Sequence, residues 1–127
     1  MAEVLFSDFA LTAAGGTSVR SAVAPITSQA GTSYALALAD AQTWVEFTSA
    51  SAVTATVPEN STVAFPVGSE VVVYQSGAGQ VTIAAAIGVT IRKPASHNLS
   101  VAEQYGIVLL KKVAANIWVA SGYLTSP

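Results

Sequence analysis

His97 is the single histidine of the chain and cysteine is absent, so neither a histidine cluster nor a thiolate site can hold a metal. A lone histidine in a loop, here within Pro94-Ala95-Ser96-His97-Asn98, is ordinarily a solvated side chain. The two aspartates, Asp8 and Asp40, lie far apart in sequence and belong to no acid–base motif. Glycoside hydrolysis needs two carboxylates opposed across a cleft, and Glu46, Glu59 and Glu70 supply such a pair only by coincidence of folding. Gly-x-Ser-x-Gly does not occur, so no nucleophile elbow is available. Gly77-Ala78-Gly79 superficially resembles a phosphate loop, but the third glycine, the lysine and a following helical pattern are missing. Asn60-Ser61-Thr62 and Asn98-Leu99-Ser100 match glycosylation acceptors and carry no meaning without secretion. Trp44, Tyr74, Tyr105, Trp118 and Tyr123 have the chemistry of a sugar platform. On alternating strands such rings more often fill a core or an interface. The sequence therefore predicts no catalytic residue, cofactor or metal.

The elements that would position these side chains read as short strands. Thr43-Trp44-Val45-Glu46-Phe47-Thr48 places Val45 and Phe47 on one face and Trp44 with Glu46 on the other. In that position Trp44 covers a sheet edge or contacts a neighbour. Tyr34, Leu36 and Leu38 share a face, and Val53 to Val57 alternates strictly until Pro58, which cannot donate to a ladder. Val71-Val72-Val73 has no polar face, as expected of a central strand buried on both sides. Gly77 and Gly79 are expected to supply the positive φ of a compact hairpin or bulge loop before Val81-Thr82-Ile83-Ala84. Ile107 to Val113 and Ile117 to Ser121 read as a hairpin around Ala114-Ala115-Asn116, with Trp118 toward the core. About nine strands, no amphipathic helix and no internal repeat predict an all-β fold. The expected form is an antiparallel β-sandwich or jelly-roll-like barrel.

Residues 1–33 differ. Val4-Leu5-Phe6-Ser7-Asp8-Phe9-Ala10-Leu11 is apolar, and the glycine-rich stretch that follows favours neither helix nor strand. It reads as an extended N-terminal arm with an adhesive patch at Leu5, Phe6 and Phe9, or as a first strand completing the sheet. The expected division is thus an arm over 1–33 and a β body over 34–127.

Charge is scarce. Only 9% of the residues are charged and 52% are hydrophobic, against about 25% charged in an average soluble domain. Such a surface suits an Ala-rich sandwich faced with Ser and Thr, or one covered by copies of itself or by a larger assembly. The acidic residues of 34–91 (Asp40, Glu46, Glu59, Glu70) are followed by Arg92, Lys93, Lys111 and Lys112 in 92–127. Head-to-tail pairing between neighbours and interleaving within one sheet both follow from that order. Five basic residues make no stripe for nucleic acid. No apolar run approaches the ~20 residues of a membrane-spanning helix, and no signal peptide is apparent.

Phe65-Pro66-x-Gly68, Val73-Tyr74-Gln75-x-Gly77-Ala78-Gly79-Gln80-Val81-Thr82-Ile83 and Gly88-Val89-Thr90-Ile91 occur in that order. Gln104-Tyr105, Val108-Leu109 and Asn116-Ile117-Trp118-Val119-x-x-Gly122-x-Leu124 follow. This series resembles a small β module of tailed-bacteriophage structural proteins, found in tail-fibre, head-fibre and capsid-decoration settings. The likeness covers roughly Tyr34 to Leu124 and rests on turn and strand residues, not on a chemical motif. In fibres such a module tends to end a much longer polypeptide. Here it follows only a short arm and its own Met1, which favours a small free-standing decoration (cement) protein. The resemblance implies a virion protein assembled in the host cytoplasm and a homotrimer. The expected partner is the major capsid protein, contacted through Leu5, Phe6, Phe9, Leu11 and Trp44. A tail or fibre component, an adaptor or a glycan-binding receptor protein, is the alternative it leaves open.

Overall fold

The inner strands of this chain bury every second side chain, and where those buried rows meet determines the architecture. The computed structural model describes residues 24–127. Nine strands are present among them: β1 (Ile26–Gln29), β2 (Ser33–Ala35), β3 (Thr43–Phe47), β4 (Val53–Val57), β5 (Glu70–Gln75), β6 (Val81–Ala85), β7 (Thr90–Arg92), β8 (Ile107–Ala114) and β9 (Ile117–Gly122). A single 3₁₀ turn spans Leu38–Asp40. The strands form two sheets, a six-stranded sheet A ordered β1-β3-β5-β8-β9-β7 and a three-stranded sheet B ordered β2-β4-β6. The strand-rich expectation holds.

The pairing departs from the antiparallel expectation. From β1 to β6 the chain alternates between sheets, so β1, β3 and β5 run parallel in sheet A and β2, β4 and β6 run parallel in sheet B. Parallel neighbours need a long crossover, usually helical; here the crossover is a strand of the opposite sheet. The path is a flattened winding of three turns. Ile26 lies beside Trp44 and Thr43 beside Val71, an uneven spacing that leaves no repeat in the sequence. Between strands, antiparallel pairing occurs at β5–β8 and in the β8–β9 hairpin, which forms as expected, and two isolated antiparallel bridges, Thr82–Ser100 and Val101–Leu124, lie outside the strands. β7 returns parallel to β9 at the far edge of sheet A.

Side chains from both sheets share one core. Val45, Phe47, Val71, Val73, Val108, Leu110, Trp118 and Ala120 of sheet A meet Val53, Ala55, Val57, Val81 and Ile83 of sheet B. Phe65, from the β4–β5 connection, packs edge-on against Trp118 at 5.3 Å between ring centres. Val71 and Val73 are buried as expected, but Val72 is only half buried, because β5 is central in its sheet yet covered on one face. Leu38, expected on the Tyr34 and Leu36 face, instead enters the 3₁₀ turn and is exposed.

Three corners hold the winding. Asp40 is buried, and its Oδ2 accepts from the Tyr34 hydroxyl at 2.7 Å and the Ala37 amide at 2.8 Å. Gln75 is buried at the β5–β6 corner, where its Oε1 accepts from the Val81 amide and its Nε2 donates to the Gly77 carbonyl. Gly77 and Gly79 do not adopt positive φ, which falls instead at Gly68, Gly88 and Gly122 among the described glycines. Their smallness serves close approach. A Cβ on Gly79 would stand 1.8 Å from the Ser51 carbonyl oxygen, and one on Gly77 would stand 2.2 Å from that of Ser49. The β5–β6 connection therefore lies directly on the β3–β4 connection, one turn of the winding stacked on the last. The third corner contains Lys112 and is described below.

Of the stretch expected to be an arm, residues 24–33 are described, and Ile26–Gln29 within it is the edge strand β1 hydrogen-bonded to β3.

Candidate interaction surface

The residues with most to offer a partner lie on the outer face of sheet A. Parity places them there: in β8, Val108, Leu110 and Lys112 point inward, so Ile107, Leu109, Lys111 and Val113 point outward. Register then lines up Ile26, Trp44, Val72 and Leu109 in one row across four strands. Glu46, Tyr74 and Ile107 make the adjacent row on one side. Glu70, Lys111, Val119 and Arg92 make the row on the other. Trp44 is half buried and packs edge-on to Tyr74 at 6.0 Å, and a shallow cleft of ≈ 150 Å³ opens between Trp44, Gln42, Glu70 and Val72. Ile26 is 62% exposed, Ile107 40% and Val113 43%. This is a broad apolar face with few charges.

Sheet B has one hydroxyl row, beside a second row of Ala35, Thr56 and Ala84. Its outer face carries Ser33, Thr54 and Thr82 in one row, continued by Ser100, whose Oγ lies 3.0 Å from Thr82 Oγ1. At its end, Ala35, Thr56, Pro58, Glu59, Thr62, Ala86 and Ile87 line an open cleft of ≈ 480 Å³.

The charged residues are distributed and engaged separately. Glu46 accepts from Ser28 Oγ, Glu59 from Ser61 Oγ, and Glu70 from Lys111 Nζ at 2.9 Å, so these three carboxylates do not converge. The Glu70–Lys111 pair shows that the acidic and basic halves of the sequence interleave within one sheet, at least there. His97 lies in its loop against Ser96 Oγ. Among the described residues no group of His, Asp and Glu is arranged to hold a metal ion, and no helix is long and apolar enough to cross a membrane.

Lys112 is the side chain that sequence reading passed over. It is 1% exposed, and its Nζ donates to Asn60 Oδ1 at 2.6 Å and to the Phe65 carbonyl at 2.7 Å. Asn60 is itself fixed by its backbone N–H, which donates to Asn116 Oδ1. Burial lowers the Lys112 pKa from its ordinary value. Neutral acceptors satisfy the ammonium without a carboxylate within ion-pair range among the described residues. The signal was present: Lys112 is in phase with Val108 and Leu110, whereas Lys111 is not.

Of the expected contact residues, Trp44 is on the outer face of sheet A; Leu5, Phe6, Phe9 and Leu11 lie outside the described residues. Sequence reading missed Val72, Ile107 and Leu109 as their companions. The available signal was that Ile107 to Leu110 is apolar in both parities, although β8 has only one face in the core. No family model, curated protein or solved structure matches this chain.

Proposed function

We propose that this protein is a non-enzymatic structural component of a bacteriophage virion, a capsid decoration protein that self-associates, as a trimer, and bridges neighbouring capsid subunits. The reading is supported by the resemblance of Tyr34 to Leu124 to phage β modules and, above all, by one observation. The outer face of sheet A sets exposed Ile26 and Ile107 beside half-buried Trp44, Val72 and Leu109, whereas the outer face of sheet B carries the hydroxyl row Ser33, Thr54 and Thr82. Contiguous exposed apolar surface of this kind marks contact with protein. In the proposed mechanism, each copy adds buried area across a capsomer boundary, and many weak contacts act together. Leu5, Phe6, Phe9 and Leu11 supply the contact to the major capsid protein. The two sheets are read as a sandwich wound from parallel turns, with a rigid face and a separate adhesive segment. Assembly takes place in the host cytoplasm and the protein resides in the virion.

Two measurements test this. Quantitative mass spectrometry of purified particles gives the copy number, and a ratio near one per capsid subunit is expected. A few dozen copies or fewer would move the protein to the tail or to scarce vertex sites. Deleting residues 1–12 is expected to abolish binding to particles while leaving the body folded; unchanged occupancy would remove that role from Leu5, Phe6, Phe9 and Leu11.

A second reading, a tail or fibre adaptor or glycan binder, draws on a different place. Tyr105 is 68% exposed with φ of 72°, and Tyr123 is 50% exposed with its hydroxyl donating to Glu103 at 2.6 Å. Tyr123 packs against Gly106, the residue after Tyr105, and two exposed tyrosines so placed offer aromatic faces for a sugar. Glycan-array binding lost in Tyr105→Ala would favour it; silence on the array together with hundreds of copies per particle would exclude it.

A further inference from the structure

Lys112 sets an amine against a carboxamide at a place closed to solvent. Its side chain runs inward from β8 beside Trp118 of β9, which Phe65 meets edge-on. Its Nζ donates to Asn60 Oδ1 at 2.6 Å and to the Phe65 carbonyl at 2.7 Å, and the residue is 1% exposed. Backbone bonds join the same two segments: the Gly68 N–H donates to the Lys112 carbonyl at 2.8 Å, and the Lys112 N–H to the Ser69 carbonyl at 2.9 Å. Asn60 is held in turn through its backbone N–H on Asn116 Oδ1. Amine and carboxamide are thus kept together for as long as the chain is folded. Burial among aromatic rings and neutral dipoles disfavours the charged form and lowers the Lys112 pKa. In the neutral amine both N–H groups keep their acceptors, and the nitrogen lone pair is left free.

We propose that Lys112 and Asn60 are poised to form an isopeptide cross-link, an intramolecular amide that ties the β4–β5 connection to β8. The lone pair of Nζ adds to Cγ of Asn60, the Cγ–Nδ2 bond breaks, and one Nζ proton passes to Nδ2, so that ammonia leaves. An amine and a primary amide become a secondary amide and ammonia, with no oxidant and no cofactor. A carboxamide is a poor electrophile, and no carboxylate among the described residues lies within ion-pair range of Nζ to relay the proton. The step therefore depends on proximity, for which fixed intramolecular pairs reach effective molarities of about 10⁵–10⁸ M. It proceeds slowly, as the folded protein ages. The product closes a loop between positions 52 apart in sequence and, as a disulfide does, stabilises chiefly by restricting the unfolded chain. The cross-link lies within the core and forms whether or not the protein joins a virion.

The test is intact mass and peptide mapping of the full chain, freshly purified and after prolonged warm incubation at mildly alkaline pH, where more of the amine is neutral. A species lighter by one ammonia is expected to accumulate, and digestion is expected to yield a branched peptide joining Asn60 to Lys112. Lys112→Met and Asn60→Ala should each abolish the branched peptide. Incubating the wild type in concentrated guanidinium chloride should abolish it as well, and that arm needs no variant to fold. Deamidation replaces the amide nitrogen by oxygen and raises the mass, and a succinimide loses ammonia but leaves no branch, so neither imitates the product. Folded wild type that yields no branched peptide overturns the proposal. Ammonia loss without a branch assigns the change to a succinimide and overturns it too. A branch that forms equally fast in guanidinium chloride would show that the folded geometry plays no part, and the proposal would fall.

Discussion

Two polar side chains, Lys112 and Tyr34, do at the corners what apolar residues do in the core. Lys112 closes two carbonyl groups, of Asn60 and Phe65, that would otherwise be left without a donor. Lys112→Met keeps the length and removes the donor, so it is expected to lower unfolding free energy by about 1–3 kcal/mol, read from urea midpoints. Its pH dependence has a definite sign. Because burial lowers the folded pKa below 10.5, the folded chain releases this proton earlier than the unfolded chain. The wild type therefore gains stability from this group as pH rises toward 10.5. The gap between wild type and Lys112→Met should widen over that window; a gap that narrows would contradict the burial described. Tyr34 behaves oppositely. Desolvation, then the hydrogen bond to Asp40 and its charge, push its pKa from 10.0 up to about 12. Its contribution is complete below pH 10 and is lost as pH rises toward about 12. Tyr34→Phe should lose about 1–3 kcal/mol at neutral pH, where Asp40 gives up a donor, and should flatten the alkaline part of the stability profile.

At the scale of elements, the stacked connections matter more than any single strand. Gly79 lies in the β5–β6 connection just before β6 enters sheet B, with the Ser51 carbonyl oxygen 1.8 Å from where a Cβ would be. Backbone cannot yield as a flexible side chain does. Gly79→Ala is thus expected to destabilise by about 3 kcal/mol, at or beyond the upper end of ordinary overpacking. Gly31→Ala is the matched control. It joins β1 to β2 with its nearest contact at 3.9 Å, so a change within about 0.5 kcal/mol is expected. Equal effects at the two sites would mean that the turns of the winding are not packed as described.

For the molecule as a whole, the shared core predicts cooperative unfolding. Trp118 is fully buried between the sheets and Trp44 is half exposed on the outer face of sheet A, so the two tryptophans report different environments. Fluorescence of Trp44→Phe, reporting Trp118, and far-ultraviolet circular dichroism should give one coincident transition in urea. Separate midpoints would show that sheet B opens independently of sheet A.

Period-two patterning placed most of the strands, though not β1, which lies in the stretch read as an arm, and it put Val45 and Phe47 on one face and Trp118 toward the core, where they are buried, because side-chain alternation is a local property of extended chain. It also placed Trp44 on the outward face beside Glu46, and it identified the β8–β9 hairpin from its short turn. Strand direction and sheet membership were not legible. Alternation specifies which face a strand buries, and it is the same for parallel and antiparallel neighbours. The glycines of Ser76 to Gln80 carried the composition of a hairpin, yet their role is set by Thr48 to Ser51, a segment remote in sequence that passes against them. Lys112 drew no reading of its own in the sequence, because its partners Asn60 and Phe65 come to it from another connection. The contact face is likewise a product of assembly: Ile26, Trp44, Val72 and Leu109 come from four strands and become one row only through register. Local chemistry determined the strands and their faces, and long-range pairing decided which of those faces meet.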